Sequence, residues 1–396
     1  MTAGETTEKL VVTHVISGDL WAGAEAQAFQ LISALQANNA VLPTAVVFNE
    51  GPLMQKLQSA GIPVTLANET TEPLWRLVYH LYQHFRDHKT KIVHTHGFKE
   101  NVLGTLAQKL SRVPKSVRTT HGNPEYQLSW RNPGKKLISL LDQLTARYGQ
   151  DAVVAVSGQL ERDLTKIYRD KTVKILNFIE IPDEAEKNVS RGANANCRGY
   201  IQADFKVGLI GRLVPVKRVD LFIDSIKELN DQLPGQIKGI IIGDGPLMES
   251  LKTYANQQGL AHLIEFKGFV ADPTAEIEQM DLLMMPSDHE GIPMVLLEAL
   301  LARVPIVAHN VGGIPEILDN GRCGILVDDH TPSGYAKQSA NLLQDPELMA
   351  DFVRAGRAHL AQNFNKTTNS LRYEALYKTI YYEPRHPLGS PPNANA

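Results

Sequence analysis

Cysteine is scarce in this sequence, with only Cys197 and Cys323 among 396 residues. Their separation matches no metal-ligand spacing, so we interpret both as inert thiols in a protein of a reducing compartment. No apolar run approaches the roughly 18 residues that a membrane-spanning helix needs, and the polar residues 1–8 do not resemble a signal peptide. These absences predict a cytoplasmic protein without disulfide bonds.

An excess of positive charge is also missing, since the formal net charge is −3, and this argues against general nucleic-acid binding. No Asp-x-Asp pair occurs, and no His/Cys cluster has ligand spacing along the sequence, so we expect no metal ion. The Gly-x-Gly-x-x-Gly dinucleotide fingerprint is absent too, which disfavours NAD. We therefore predict a protein that requires neither a metal ion nor a cofactor.

The charge is nevertheless uneven. Residues 71–150 contain 13 Lys and Arg but only 5 Asp and Glu, a surplus that suits an anionic membrane or an anionic acceptor. Residues 130–141 combine Trp130, basic residues and leucines, and predict a peripheral membrane patch. The alternative interpretation is scattered surface charge and an ordinary amphipathic helix.

Short β-branched strands alternate with helical stretches along nearly the whole chain, which is typical of a parallel sheet covered by helices on both faces. In the second half we predict strands at 205–210, 237–242, 264–266, 282–285, 306–308 and 325–327. The polar segment 182–203 is the best linker candidate, because the alternation stops before it and restarts after it. We predict an α/β protein with two Rossmann-like, doubly wound domains facing a cleft, residues 1–182 and 204–365. A helix at 366–383 and a disordered tail at 384–396 follow.

The most informative stretch is residues 286–298, in which two carboxylates flank the start of a predicted helix. We expect Glu290 in the loop before the helix, Pro293 at the first helical position, and Glu298 more than one turn further on. The first-turn N–H groups near Ile292 and Met294 can hold an anion. A ligand that has sugar hydroxyls, then a pyrophosphate, then ribose hydroxyls would suit this layout. The alternative interpretation is a helix with a solvated glutamate at each end.

Other candidate residues follow predicted strands of the second half. Arg212 and Lys217 come after the first of these strands and are suited to phosphate, although two solvated cations are the plain alternative. Gly243 opens a strand-to-helix turn with Pro246 at the start of the predicted helix, and the segment at Phe269 can wrap a base with its backbone. Ligands bind such sheets at the carboxyl ends of strands, so we expect these residues to line one binding site.

In the first half, Gly23 opens the first predicted helix and would let the backbone approach a diphosphate closely. His96 and His121 each end a strand, and we expect both at one cleft, although a lone histidine is more often structural. His94 shares a strand face with His96 but lies further from the strand end. We therefore expect the His94 ring to be packed under a helix.

Four motifs occur in order: Gly-Arg-Leu-x-Pro-x-Lys from Gly211, Gly-Asp-Gly-Pro from Gly243, Glu-x7-Glu from Glu290 and Gly-Gly-Ile-Pro-Glu from Gly312. With them the chain resembles glycosyltransferase family 4, retaining enzymes of the GT-B fold, over nearly its whole length. The resemblance implies that the second domain holds a nucleotide-sugar donor and the first an acceptor. It also implies that the last helix crosses back onto the first domain.

The same resemblance assigns roles to single residues. Arg212 and Lys217 would contact the diphosphate, Glu290 the donor-sugar hydroxyls and Glu298 the ribose, with His121 near the donor sugar and the acceptor.

We expect a retaining hexosyltransferase of polysaccharide or lipopolysaccharide biosynthesis that uses a UDP-sugar or, next, GDP-mannose. A saccharide or lipid-linked molecule would be its acceptor, and no metal would be needed. The alternatives are a nucleotide-sugar epimerase of the same fold and a non-catalytic nucleotide-sugar-binding protein.

Overall fold

The computed structural model of the protein describes residues 9–19, 21–122, 133–182 and 205–383. The chain divides into two compact units. The N-terminal unit consists of Met1–Asn177 together with Lys366–Ala396, and the C-terminal unit consists of Phe178–Asn365. The predicted linker lies outside the described residues except for Pro182. The predicted tail and residues 130–132 of the predicted membrane patch also lie outside them.

The N-terminal unit contains a parallel sheet of seven strands in the order β3-β2-β1-β4-β5-β6-β7. The strands are β1 (Leu10–Ile16), β2 (Val41–Val47), β3 (Val64–Leu66), β4 (Ile92–Thr95), β5 (Lys115–Thr120), β6 (Ala152–Ala155) and β7 (Thr172–Lys174). The helices are α1 (Gly23–Asn38), α2 (Pro52–Ser59), α3 (Leu74–Asp87), α4 (Phe98–Ser111), α5 (Pro133–Gly149) and α6 (Gly158–Tyr168).

The C-terminal unit contains a parallel sheet of six strands in the order β10-β9-β8-β11-β12-β13. Its strands are β8 (Phe205–Ile210), β9 (Ile237–Ile242), β10 (Ile264–Gly268), β11 (Leu282–Met285), β12 (Ile306–His309) and β13 (Ile325–Val327). Its helices are α7 (Val219–Gln232), α8 (Met248–Gln257), α9 (Thr274–Ile277), α10 (Met294–Ala302), α11 (Ile314–Ile317), α12 (Pro332–Leu343) and α13 (Pro346–Asn363).

The central strands are apolar along their whole length because helices cover both faces of each sheet. In β11, for example, all four residues of Leu282–Met285 are buried. Helices α7 and α12 pack their apolar sides against the C-terminal sheet, where Phe222 and Tyr335 are among the largest fully buried side chains. Burial of such side chains, at roughly 25 cal/mol per Å² of apolar surface, is the main stabilising contribution in each unit.

The two sheets share the strand order 3-2-1-4-5-6, counted within each unit. In this doubly wound order successive strands are added towards one edge of the sheet up to the third strand and towards the other edge from the fourth. Ligands bind outside the carboxyl ends of the first and fourth strands, at this switch point. The switch points lie between β1 and β4 in the N-terminal unit and between β8 and β11 in the C-terminal unit. The predicted fold class is confirmed.

The last described helix, α14 (Lys366–Tyr382), belongs to the N-terminal unit and packs on α1. Tyr373 and Tyr377 of this helix are fully buried, and the Tyr377 hydroxyl lies 2.7 Å from His94 Nδ1. His94 is therefore covered by a helix, as predicted. The position of α14 accords with the expected return of the last helix to the first domain.

Two local predictions were wrong by one or two residues. Pro293 is the residue before α10, in an extended conformation, and the helix begins at Met294. Pro246 likewise precedes α8, which begins at Met248. Proline fixes only its own φ angle, and a proline-led turn satisfies that constraint as well as a helical first residue does. At the start of α6, the Ser157 side chain caps the helix by accepting a hydrogen bond from the Leu160 N–H.

Within the described ranges, none of the helices combines the length and the apolar content that crossing a bilayer would require.

Candidate functional site

Two loops meet at the switch point of the C-terminal sheet. The loop after β8 contains Lys217, and the loop after β11 contains Glu290. The Asp288 N–H donates to the Val216 carbonyl oxygen at 2.8 Å, which ties the loops together. Lys217 Nζ then donates to Glu290 Oε1 at 2.6 Å. The fold therefore brings together two predicted site residues that are 73 positions apart in the chain.

The Lys217–Glu290 pair is largely removed from water. The Glu290 side chain is 9% exposed and that of Lys217 is 18% exposed. A charge-assisted hydrogen bond in such a setting is short and directional, so each group fixes the position of the other. The ammonium can counter the charge of a phosphate, and the second carboxylate oxygen can accept a hydrogen bond from a hydroxyl group. Arg212, in the same loop, is exposed.

A second charged group lies beside this pair and was not predicted. Arg218 Nη1 donates to Asp288 Oδ1 at 3.3 Å, and His330 Nε2 lies 3.1 Å from the same oxygen. The His330 ring stacks on His309, whose Nδ1 lies 2.8 Å from the Ser287 carbonyl oxygen. Arg218 directly follows Lys217, and Asp288 lies two residues before Glu290. The sequence positions of Arg218 and Asp288 beside the two predicted site residues could have indicated that they hold the two loops in place.

Glycines allow the loops at this edge to approach closely. Gly243 has φ +138°, and a Cβ there would collide with the Gly211 carbonyl oxygen. Gly312 has φ +63°, and a Cβ there would collide with the Glu290 carbonyl oxygen. Any other residue at Gly312 would therefore displace the Glu290 loop. The Gly-Gly turn therefore packs against the backbone of the Glu290 loop.

Glu298 lies in α10, and burial raises the pKa of its carboxyl to about 7, with a further rise caused by the negative charge of Asp272. A carboxyl that titrates near neutrality after loss of hydration is characteristic of functional sites. Glu298 lies on the helix that follows the Glu290 loop, so both predicted carboxylates belong to one continuous stretch of chain. Each can accept hydrogen bonds from ligand hydroxyls when ionised.

The other residues of this unit that we predict to contact a ligand differ in whether their side chain or only their backbone is available for the contact. The Ile292, Pro293 and Met294 side chains are buried in the core, so a contact with a ligand has to come from their backbone. The Phe269 side chain is 54% exposed and directly follows β10. The Gly243 N–H donates to the Gly268 carbonyl oxygen at 2.8 Å, which places the Gly243 and Phe269 turns side by side.

In the N-terminal unit the predicted His96 and His121 do lie together. His96 Nδ1 is 3.1 Å from His121 Nε2. His14, which sequence reasoning missed, lies on the neighbouring strand, and its Nδ1 is 3.0 Å from His96 Nε2. Burial lowers the pKa of His14 to about 3 and that of His121 to about 4. These imidazoles are therefore neutral near pH 7.

Gly23 is exposed and is the first residue of α1, as predicted. Two carboxyls that were not predicted lie in the first turns of α1 and α4. Burial raises the pKa of Glu25 to about 7, and it also raises the pKa of Glu100. Both helices begin at the carboxyl edge of the N-terminal sheet, so this edge carries acidic groups and imidazoles near its switch point.

Three histidines of the N-terminal sheet lie close together, although their spacing in the sequence predicts no such cluster. His14, His94 and His96 are far apart or unremarkably spaced in sequence, but each offers a ring nitrogen within 4.8 Å of the others. The cause is the register of two parallel strands, in which His14 pairs with His94 and His96 lies two residues beyond. Sequence spacing alone does not reveal a cluster built across strands.

Two family models match the chain. The model for "Glycosyl transferases group 1" covers residues 201–359, and the model for "Glycosyltransferase Family 4" covers residues 21–181. Together they cover both units.

Curated relatives carry related activities. The chain is 30% identical over 300 residues, 74% of each chain, to N-acetyl-alpha-D-glucosaminyl L-malate synthase of Bacillus anthracis. It is 25% identical over 352 residues, 87% of this chain and 90% of the relative, to UDP-Gal:alpha-D-GlcNAc-diphosphoundecaprenol alpha-1,3-galactosyltransferase of Escherichia coli.

Solved structures share the fold. Anabaena Alr3699/HepE, crystallised in complex with UDP-glucose, superposes with a TM-score of 0.75 at 22% identity, covering 93% of this chain and 100% of that one. With the motifs at the two switch points and the matches in both units, the chain belongs to glycosyltransferase family 4, the group 1 glycosyltransferases of GT-B architecture.

Proposed function

We propose that this protein is a retaining glycosyltransferase that moves a hexosyl unit from a UDP-sugar to a saccharide or lipid-linked acceptor. The observation that carries the proposal is the Lys217–Glu290 pair, joined at 2.6 Å at the switch point of the C-terminal sheet. A GDP-sugar is the second candidate donor. The relatives and neighbours whose names mention UDP support the choice of base.

In this proposal the C-terminal unit holds the donor. The diphosphate lies against Lys217 and Arg212, the hydroxyls of the donor sugar against Glu290, and the ribose hydroxyls against Glu298. These fixed positive groups would stabilise the leaving diphosphate without a divalent ion, because prearranged charges need no reorganisation when the bond breaks. The departing phosphate oxygen stays on the face from which the acceptor attacks and can take the acceptor proton.

The acceptor would bind to the N-terminal unit, and we further propose that it is carried on an anionic membrane. Neighbouring helices α3, α4 and α5 carry large exposed apolar side chains at helical spacings of three, four and seven residues: Trp75, Tyr79, Leu106, Leu110, Leu141, Leu144 and Tyr148. The same part of the sequence carries the surplus of 13 basic over 5 acidic residues. Apolar side chains with surrounding positive charge favour binding to an anionic bilayer surface.

A nucleotide-release assay tests the transfer. The protein is incubated with UDP- and GDP-sugars, with and without saccharide and polyprenyl-diphosphate-linked acceptors, in the presence of a chelator. We expect release of UDP that increases when acceptor is added and that the chelator does not reduce. An isomerised sugar formed from donor alone would identify an epimerase, and tight binding without release would identify a binding protein.

Vesicle flotation tests the membrane contact. We expect binding to phosphatidylglycerol vesicles, weaker binding to neutral vesicles, and loss of binding in a Leu144→Glu Tyr148→Glu variant. Leu371→Glu, which changes a leucine of similar exposure on α14, is the matched control. Equal binding of both variants would contradict the assignment of this surface.

A further inference from the structure

Four polar side chains are linked by hydrogen bonds across the carboxyl edge of the N-terminal sheet, and we call them the edge network: Ser17, Asn49, Glu69 and Lys99. The first three follow β1, β2 and β3, and Lys99 lies in the first turn of α4. Asn49 Nδ2 donates to Glu69 Oε1 at 2.7 Å and to the Ser17 carbonyl oxygen at 3.3 Å. The other Glu69 oxygen forms an ion pair with Lys99 Nζ. The network therefore joins the ends of three strands to the start of α4.

These contacts fix the direction of the Asn49 amide. The Ser17 carbonyl and the Glu69 carboxylate only accept hydrogen bonds, so Nδ2 faces them and the amide oxygen Oδ1 faces away. Asn49 is 7% exposed, and within the described part of the chain its Oδ1 accepts no hydrogen bond. This oxygen is nevertheless not one of the solvent-inaccessible side-chain atoms that lack a partner. A hydroxyl group can therefore reach it.

Lys99 supplies a donor beside this acceptor. Its ammonium has three N–H groups, the ion pair with Glu69 uses one of them, and the side chain is 41% exposed. Asn49 and Lys99 bond to the two oxygens of one carboxylate, so their remaining groups lie within the span of a single hexose ring. Asp19 is exposed and accepts from Ser17 Oγ at 3.2 Å. An acceptor and a donor held side by side match adjacent hydroxyls, each of which both donates and accepts.

The surroundings of the edge network are acidic. The loops after β1, β2 and β3 and the first turns of α1 and α4 contain one described lysine, Lys99, and these acidic residues: Asp19, Glu25, Glu50, Glu69, Glu72 and Glu100. Two cations of the neighbouring helices, Arg76 and Lys56, lie over the rings of Trp75 and Trp21. Because Glu69 already neutralises Lys99, the described part of this edge would repel a ligand that carries a negative charge.

Charge interactions among these residues show that they lie close together. Burial raises the pKa of Glu25 and of Glu100, and the negative charge of Asp19 raises both further. The ammonium of Lys99 lowers the pKa of Glu100. The acidic groups therefore lie within electrostatic reach of the edge network.

We propose that the edge network binds an uncharged sugar ring of the acceptor, with Asn49 Oδ1 accepting from one hydroxyl and Lys99 Nζ donating to the oxygen of another. This inference rests on the proposed function for naming the sugar as acceptor, but not for the recognition of a sugar. Ser17 and Glu69 are positioning residues, because they hold the Asn49 amide and the Lys99 ammonium. The negative charge of Asp19 selects against an acidic sugar.

The test is binding of free sugars to the whole protein without donor, followed by NMR of the Asn49 side-chain amide. Its resonances are identified by their absence from Asn49→Ser. The neutral probes are methyl α-glucoside and methyl α-galactoside, and the matched acidic probes are methyl α-glucuronide and methyl α-galacturonide. We expect at least one neutral glycoside to displace the Asn49 amide resonances, and its matched uronide to bind at least about tenfold more weakly.

Variants separate the two parts of the proposal. Lys99→Met should weaken binding of the neutral glycoside roughly tenfold, through loss of a charge-assisted hydrogen bond. Lys115→Met is the matched control, because Lys115 also pairs with a carboxylate, that of Asp151, but stands at the first residue of β5, on the opposite edge of the sheet. Asp19→Asn should bring the affinity for the uronide closer to that for the neutral glycoside.

Several results would overturn the proposal. They are unmoved Asn49 resonances with both neutral glycosides, a uronide that binds as tightly as its neutral counterpart, and a folded Lys99→Met that binds as well as Lys115→Met. The wild-type measurements decide even if Lys99→Met fails to fold. Sugar binding at Asn49 without transfer in the nucleotide-release assay would refute the proposed function alone. Transfer with unmoved Asn49 resonances would refute this subsite alone.

Discussion

The two units share one strand order but place different chemistry at their switch points. The C-terminal edge joins charged groups, with Lys217 bonded to Glu290 and Arg218 to Asp288. The N-terminal edge joins neutral imidazoles, because burial lowers the pKa of His14, His96 and His121. The comparison indicates that the fold supplies the position of a site, whereas a few residues after the strands decide its charge.

This difference suits the two substrates of a glycosyltransferase. A diphosphate leaving group needs fixed positive charge, whereas hydroxyl-rich sugars need directional neutral hydrogen bonds and carboxylate acceptors. If the comparison is correct, changes of charge should affect the C-terminal edge most, and changes in hydrogen bonding should affect the N-terminal unit most.

Removing either member of the Lys217–Glu290 pair should have the largest effect. In Lys217→Met and in Glu290→Gln we expect turnover to fall roughly 100- to 1,000-fold, the loss typical of one prearranged stabilising group. The measurement is the initial rate of nucleotide release. Lys252→Met, which breaks an exposed Lys–Glu pair on α8, should retain wild-type turnover. Near wild-type rates in both site variants would refute the assigned site.

A methyl group at Gly312 should disturb the charged edge through its backbone. Gly312→Ala places a Cβ against the Glu290 carbonyl oxygen, whereas Gly259→Ala meets no atom within 4 Å at a similar φ of +72°. Both variants bear the strain of a positive φ, so their difference isolates the collision. We expect Gly312→Ala to be less stable than the control by about 1–3 kcal/mol in urea unfolding. Equal stability would show that the loops move apart readily.

In the N-terminal unit, a lost hydrogen bond should lower stability. Tyr377→Phe leaves His94 Nδ1 buried without its partner, which costs about 1–3 kcal/mol. Tyr79→Phe removes an exposed bond to Gln83 and should change the free energy of unfolding little. Unfolding in urea measures both. A Tyr377→Phe variant as stable as the control would show that α14 does not depend on this bond.

The effect that is smallest per unit of pH comes from the titration of Glu298. Between pH 4.5 and 7 the folded Glu298 holds a proton that the unfolded chain has lost. Stability therefore falls as pH rises through this window, by at most about 1.4 kcal/mol per pH unit. Glu298→Gln should show a shallower decline, whereas Glu249→Gln, an exposed control on α8, should follow the wild-type curve. Identical slopes in all three proteins would contradict the raised pKa.

The sequence was sufficient for the fold because buried parallel strands form short apolar runs. The predicted strands at 205–210, 237–242, 282–285 and 325–327 match β8, β9, β11 and β13 in both bounds. Glu290 and Lys217 were found because each stands in a recognisable motif after a strand. Whether these residues have the assigned roles stays a prediction.

The remaining features depend on contacts that no local pattern contains. His14 contacts His96 because β1 lies beside β4 in the sheet, and no sequence pattern indicates this contact between residues 82 positions apart. Arg218, Asp288 and His330 form one group because three loops end at the same edge. The proline positions at α8 and α10 were misplaced because a proline suits a turn before a helix as well as its first residue.

The proposed donor site can be tested with a crystal of the protein soaked with UDP in the presence of a chelator. We expect a diphosphate against Lys217 and Arg212, a ribose within hydrogen-bonding distance of Glu298, and no metal ion between the phosphates. UDP bound away from the carboxyl edge of the C-terminal sheet, or UDP that binds only when a divalent metal ion is supplied, would contradict it.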